Sequence, residues 1–265
     1  MEENSKLKFV YEEAYSYLQN KVGNEILRKN IDYYIEYKPE SLNDIFEQML
    51  ESLKNRQGFS NFIAPVSEMK DILFNFDPQE VLKVYGDNYK ELFQCFKEKF
   101  GNIYHMDINN KKNSWVIYSK GVLDCAKFLA NFDSEKDFDT FVKSFSQYEF
   151  TIVALPMLLE AEIFGYGFPL ACDFLKEIGY VEYGKPDVHL KDIFYELGLV
   201  DEKNDYKVFK AIVKIGKVVN EKPVIIDKVF WLIGSGNFHV NNIKIGSQKT
   251  EFIAHVKNKL EISAV

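Results

Sequence analysis

Cysteine is scarce. Cys95, Cys125 and Cys172 are scattered, odd in number and without metal-ligand spacing, so neither a disulfide framework nor a structural metal site is expected, and reduced core thiols are. Long apolar runs are also missing. Charge interrupts each of them within about 18 residues, which leaves no membrane-spanning candidate, and the opening MEENSKLKF has no apolar signal core. A soluble, cytoplasmic chain with no membrane partner is the expectation. No tract is compositionally biased and no period repeats. Nothing alternates as a multi-stranded sheet would. Arginine is nearly absent, with only Arg28 and Arg56, and the formal net charge of −7 has the wrong sign for a generic nucleic-acid binder.

What the chain does have is apolar mass. Its 265 residues are 46% hydrophobic, with 23 Phe and 16 Tyr, enough for one large or two small domains. Helical spacing runs through nearly all of it. Tyr11 to Tyr34 reads as one or two covering helices. Ser41 followed by Asp44 is a variant capping box opening a helix through Ile45, Met49, Leu50 and Leu53, which breaks at Asn55-Arg56-Gln57-Gly58. Asp77-Pro78 pairs an N-cap with a first-turn proline, and Leu92, Phe93 and Phe96 lead to a stop at Gly101. A polar loop with His105 and Asn109–Asn113 precedes Trp115, Ile117 and Tyr118; Val122–Phe132 and Phe138–Phe145 read as two further amphipathic helices.

The segment from Leu155 to Leu199 organises the rest. A helix with Pro156 in its first turn stops at Gly165-Tyr166-Gly167, where the glycines permit positive φ and close backbone approach. A second helix from Phe168 carries Leu170, Ala171, Phe174, Leu175 and Ile178 on one face and ends at Gly179. Asp187 then stands at the N-cap of a third helix, through Leu190, Ile193, Phe194 and Leu197 to Gly198. Glycines beside a helix N-terminus leave amides open to a phosphate oxygen. The same residues also make an ordinary αα-turn and an ordinary helix cap. Further on, Lys207, Lys210, Lys214 and Lys217 share one helix face with no acid between them. That stripe is either a phosphate-facing surface or a solvated one.

Gly165, Gly167 and Ala171, with Asp187 and His189 at their separation, resemble the hairpin and the Asp-x-His motif of the helix-hairpin-helix (HhH-GPD) DNA glycosylases of the endonuclease III superfamily. The resemblance spans about Ile45 to Phe238 and is densest from Ile163 to His189. It implies an all-α, two-lobed fold: residues 1–40 and 200–265 in one lobe, 41–199 in a core lobe containing the hairpin 156–178, and the hairpin and Asp187 facing a cleft. It implies Asp187 as catalytic carboxylate, kept anionic by the helix amides. DNA contacts are implied at Gly165, Tyr166, Gly167, Phe168 and His189, with Arg56 and Gln57 in the loop that fills the space of an extruded base. The lysine stripe (Lys207, Lys210, Lys214) is a further candidate. The partner would be double-stranded DNA with a damaged base, the chain a nucleoid-associated monomer.

Three departures narrow that reading. Strand-cleaving members carry a lysine where this chain has Pro169, so no hairpin amine is available for a Schiff base. Asp192 stands where many relatives place an arginine. Val229–Phe238 resembles the last core helix, which ends at a glycine before the iron–sulfur loop of clustered relatives. Here no cysteine follows Cys172, so a four-thiolate cluster cannot form. A monofunctional glycosylase without cofactor is the first expectation, and a catalytically inactive protein that binds DNA or a protein partner the second.

Overall fold

The computed structural model describes residues 2–32, 38–59 and 61–262; Tyr34, where the first expected helical segment ends, lies outside the described residues. Among them are thirteen α-helices and one two-stranded antiparallel ribbon of two residues a side, β1 (Asn237–Phe238) and β2 (Ile243–Lys244). The fold is all-α.

Two compact units divide the chain at 37/38 and 174/175. The unit of residues 38–174 holds α3 (Leu42–Lys54), α4 (Pro78–Tyr85), α5 (Tyr89–Phe100), α6 (Ser114–Leu129), α7 (Glu135–Ser146), α8 (Ala154–Glu162) and most of α9 (Phe168–Glu177). Its helix starts follow the expected capping chemistry. Ser41 Oγ accepts from the Asp44 amide at 3.2 Å while Asp44 accepts from the Glu40 amide at 3.0 Å. Asp77 accepts from Gln79 and Glu80 with Pro78 behind it. Trp115 and Val122, expected in separate segments, share the single helix α6. Its Gly121 sits mid-helix because a Cβ there would lie 2.6 Å from both Leu53 Cδ2 and the Phe164 carbonyl. Aromatic rings fill this core: Phe100 stacks on Trp115 at 5.5 Å, and Phe96 packs on Trp115 and Tyr118.

The other unit, 1–37 with 175–265, holds α1 (Glu3–Val22), α2 (Asn24–Asp32), α10 (Val188–Glu196), α11 (Asp205–Val219), α12 (Pro223–Ser235) and α13 (Lys249–Ile262). The expected boundary near 199 falls at 174 instead. The reason is packing: Leu190, Ile193, Phe194 and Leu197 of α10 are buried among Val224, Ile226, Phe230 and Ile233 of α12, with Val10 and Leu18 of α1 and Phe252 of α13. α12 is buried nearly all round from Val224 to Gly234, as expected of a central helix. Its core contact is Phe194 against Phe230, edge to face at 4.9 Å.

Phe230→Ala empties a fully buried aromatic site and should lower unfolding free energy by about 3–5 kcal/mol. Ile103→Ala, at a side chain 75% exposed, should stay within about 0.5 kcal/mol of wild type. Urea titration followed by circular dichroism separates the two.

Candidate functional site

The hairpin belongs to the 38–174 unit. Gly165 has φ +94°, and a Cβ there would meet Ile117, Leu53 and Arg56 at 3.2 to 3.3 Å, so both conformation and space require glycine. Gly167 differs. Its φ is not positive, and a Cβ would come no closer than 3.9 Å to any atom. Nothing among the described residues demands a glycine there. The Gly167 carbonyl accepts from the amides of Leu170 and Ala171 as α9 begins, and Pro169 occupies its first turn.

Side chains anchor the hairpin from beneath. Tyr166 points into the core and donates its hydroxyl to the Met49 carbonyl at 2.7 Å; burial pushes its pKa well up. Arg56 donates from Nη1 to the Gly165 carbonyl at 2.9 Å and lies over the Phe59 ring. The Phe164 amide donates to Asp124 Oδ2, and Lys120 sits 5.0 Å from the Phe164 ring centre. Three expected DNA contacts are revised by this. Tyr166 and Phe168 are buried, the Tyr166 amide already donates to the Ile163 carbonyl at 3.1 Å, and Arg56 is engaged in holding the hairpin. Gln57 remains exposed in the turn after α3.

Asp187 lies in the other unit. Its Oδ1 accepts from the amides of His189 (2.8 Å) and Leu190 (3.1 Å), capping α10 as expected. Its electrostatics run against expectation. Burial raises its pKa, the charge of Asp227 raises it further, and the Leu190 amide, His189 and Lys185 offset this only in part. The helix amides therefore do not set the balance; desolvation and a second carboxylate do. The His189 ring lies against Gly234 of α12, where no Cβ would fit, and its buried Nδ1 has no hydrogen-bond partner among the described residues. His189 thus turns one edge of its ring to the protein.

The second carboxylate belongs to a cluster that sequence reasoning missed. Asp227 of α12 is 2% exposed; its Oδ2 accepts from Lys176 Nζ at 3.1 Å and from the Lys185 amide at 2.9 Å. Beside it Lys228, 5% exposed, places Nζ 4.5 Å from the Trp231 ring centre. Burial lowers the Lys228 pKa to about 7, with Lys176 adding to the drop and Asp227 and Glu177 opposing it. A signal existed: PVIIDKVFWLI carries two adjacent charges inside an otherwise apolar run, and charges so placed are costly unless they serve something.

The lysine stripe on α11 does not stand free of acids, because they arrive from elsewhere in the chain. Lys207 pairs with Asp201 and Glu202 at 2.9 Å, and Lys214 with Glu3 at 2.5 Å; Lys210 lies over the Tyr206 ring. Asp192 is an internal hub, taking Lys203 at 2.6 Å and Lys249 at 2.5 Å, and these ammonium groups hold its carboxyl below the usual range.

No protein-family model matches the chain, and no curated protein matches it by sequence. Two solved structures match it in three dimensions, both from Methanocaldococcus jannaschii. One is an 8-oxoguanine glycosylase/lyase in complex with a 15mer DNA containing 8-oxoguanine: TM-score 0.53, 18% identity, covering 85% of this chain and 96% of that one. The other is an 8-oxoguanine DNA glycosylase: TM-score 0.52, 20% identity, covering 87% and 94%. The chain has their fold. The likeness is one of fold, and the identity marks this chain as divergent from both.

A raised carboxyl pKa means that Asp187 binds its proton more tightly folded than unfolded, so its anion opposes folding at neutral pH. Asp187→Asn keeps an oxygen for the two amides and removes that charge, so its Tm should equal or exceed wild type at pH 7. The advantage should shrink on acidification, as the wild-type carboxyl takes up its proton. Asp187→Ala loses the cap and should fall by about 1 kcal/mol. Scanning calorimetry at two pH values checks all three.

Proposed function

We propose that this chain is a DNA N-glycosylase that releases a damaged or mispaired base from duplex DNA by hydrolysis, with Asp187 as its catalytic carboxylate. The observation that carries the reading is the Asp187 carboxylate at the α10 N-terminus, destabilised as an anion by burial and then by Asp227, in a chain with the fold of two DNA glycosylases. A base inside a duplex cannot be reached, so such an enzyme extrudes it before cutting the glycosidic bond. The glycines 165 and 167 and the positive end of α9 suit a backbone phosphate.

As the C1′–N bond breaks, the sugar takes on oxocarbenium character. A buried carboxylate already disfavoured by burial and a like charge gains most when a positive charge develops beside it. The stabilisation is therefore larger in the transition state than in the ground state. The same raised proton affinity equips Asp187 to take the proton of the attacking water. Pro169 offers no amine, so the hairpin cannot form a Schiff base, and water is the nucleophile. No cofactor is required, and the three cysteines belong to the 38–174 unit and Asp187 to the other.

The test is a panel of duplexes with oxidised, alkylated, deaminated or mismatched bases, beginning with 8-oxoguanine. Wild type should release a base and leave an alkali-labile but unbroken strand, and borohydride should trap no covalent adduct. Asp187→Asn should lower single-turnover release by about 100-fold or more while duplex affinity holds or rises. Efficient trapping would refute the hydrolytic route, and full release by the Asn variant would reduce Asp187 to a cap.

Because Lys207 and Lys214 are already ion-paired, neutralising both to Gln should leave the salt dependence of duplex binding unchanged. Fluorescence anisotropy over a salt series measures the slope, and a clear flattening would reinstate the stripe as a phosphate contact.

A further inference from the structure

Of the cations that the sequence offered for DNA, Lys207 and Lys214 are ion-paired and Arg56 holds the hairpin. Lys120 is placed differently. It lies on α6 one residue before Gly121, the glycine that lets the Phe164 carbonyl close on that helix. The Phe164 amide is fixed to Asp124, one turn further along α6, at 3.1 Å. Two contacts with α6 therefore set the residue that opens the hairpin turn beside Lys120. The ammonium stands between two rings, 4.7 Å from the centre of Tyr89 at the start of α5 and 5.0 Å from that of the half-exposed Phe164. All three side chains line an open pocket of about 210 Å³ within the 38–174 unit.

We propose that this pocket takes a backbone phosphate of the duplex, with Lys120 as its cation. The proposal rests on the glycosylase reading above, of which it uses the bound duplex and not the chemistry of base release. The pocket holds two carboxylates as well, and both are engaged. Lys127 pairs with Asp87 and with Asp124, and Asp124 also accepts from the Phe164 amide. No carboxylate among the described residues pairs with Lys120.

An aromatic ring attracts an ammonium through its quadrupole and leaves the charge in place. A carboxylate would cancel it. Two rings thus keep Lys120 ordered and still a full cation, beside a turn whose glycines suit the same ligand. Lysine binds phosphate as a point charge, and a side chain ordered in advance loses less freedom on binding. The net charge of −7 sharpens the need. Over distance the chain repels a duplex, so attraction has to come from cations set at the contact itself. Such a contact fixes where the duplex lies and reads no sequence.

The experiment is fluorescence anisotropy over a salt series on an undamaged and an 8-oxoguanine duplex, with Lys120→Gln, Lys120→Arg and Tyr89→Leu beside wild type. Lys120→Gln should weaken binding of both duplexes by the same factor and lower the salt slope by about one. Lys120→Arg keeps the charge and should keep the slope. Tyr89→Leu removes one ring and no charge. It should lower wild-type affinity by about threefold, and should lower that of Lys120→Gln no further. Acetylation of wild-type lysines, read by mass spectrometry, needs no variant: bound duplex should shield Lys120, and inorganic phosphate at the same ionic strength should not. A slope unchanged in Lys120→Gln, or a Lys120 as reactive with duplex as without, overturns the phosphate site and leaves the glycosylase reading standing. Equal shielding by inorganic phosphate makes the pocket a free-anion site and overturns the duplex assignment. Wild type that binds no duplex at any salt concentration overturns both.

Discussion

One buried carboxylate sets the chemistry of the unit formed by residues 1–37 and 175–265. Asp227 sits 2% exposed in the helix that forms the centre of that unit's core, and an uncompensated anion there would be costly. It is compensated twice, by the Lys176 ammonium and by the Lys185 amide. The first ties the end of α9 to α12, and the second pins the loop that delivers Asp187 to its cap position. What remains of the Asp227 charge raises the proton affinity of Asp187. A well-packed apolar replacement of such a pair is often no less stable. Retaining the ions in a helix that otherwise buries Val, Ile, Leu and Phe therefore points to chemistry in preference to stability.

The 38–174 unit solves a separate problem, that of fixing the hairpin turn. A turn with two glycines has few side chains of its own to hold it, so the anchors come from its neighbours: Arg56 on the Gly165 carbonyl, Tyr166 on the Met49 carbonyl, and Gly121 of α6 letting the Phe164 carbonyl pack against the helix. The cost is that Arg56 and Tyr166 are not available as contacts. The gain is a turn whose conformation is set before any ligand arrives, which lowers the ordering cost of binding one.

How much of this was legible in the sequence depended on the range of the interaction. Local chemistry was readable: the Ser41 and Asp77 caps, the breaks at Gly165, Gly179 and Gly198, the Asp187 cap and the all-helical character all rest on contacts within a few residues. What failed was long-range. The stripe from Lys207 to Lys214 looked unpaired because Glu3 is remote in sequence, and Asp201 and Glu202 precede the helix. The boundary near 199 was misplaced because α10 is bound by α1, α12 and α13, which no pattern within α10 announces. The Asp187 carboxyl was expected to be kept anionic by its cap and is raised instead, first by burial and then by a residue forty positions on.

Pro169 bears on the chemistry through its place in α9. Proline is well suited to the first turn of α9, where a missing N–H is not missed, so the position favours helix initiation at the expense of an amine. Without that amine a covalent sugar adduct cannot form at position 169, and the base release proposed above goes to water. Water is a poorer nucleophile than a neutral amine, so in that proposal a larger share of the barrier falls on the leaving group.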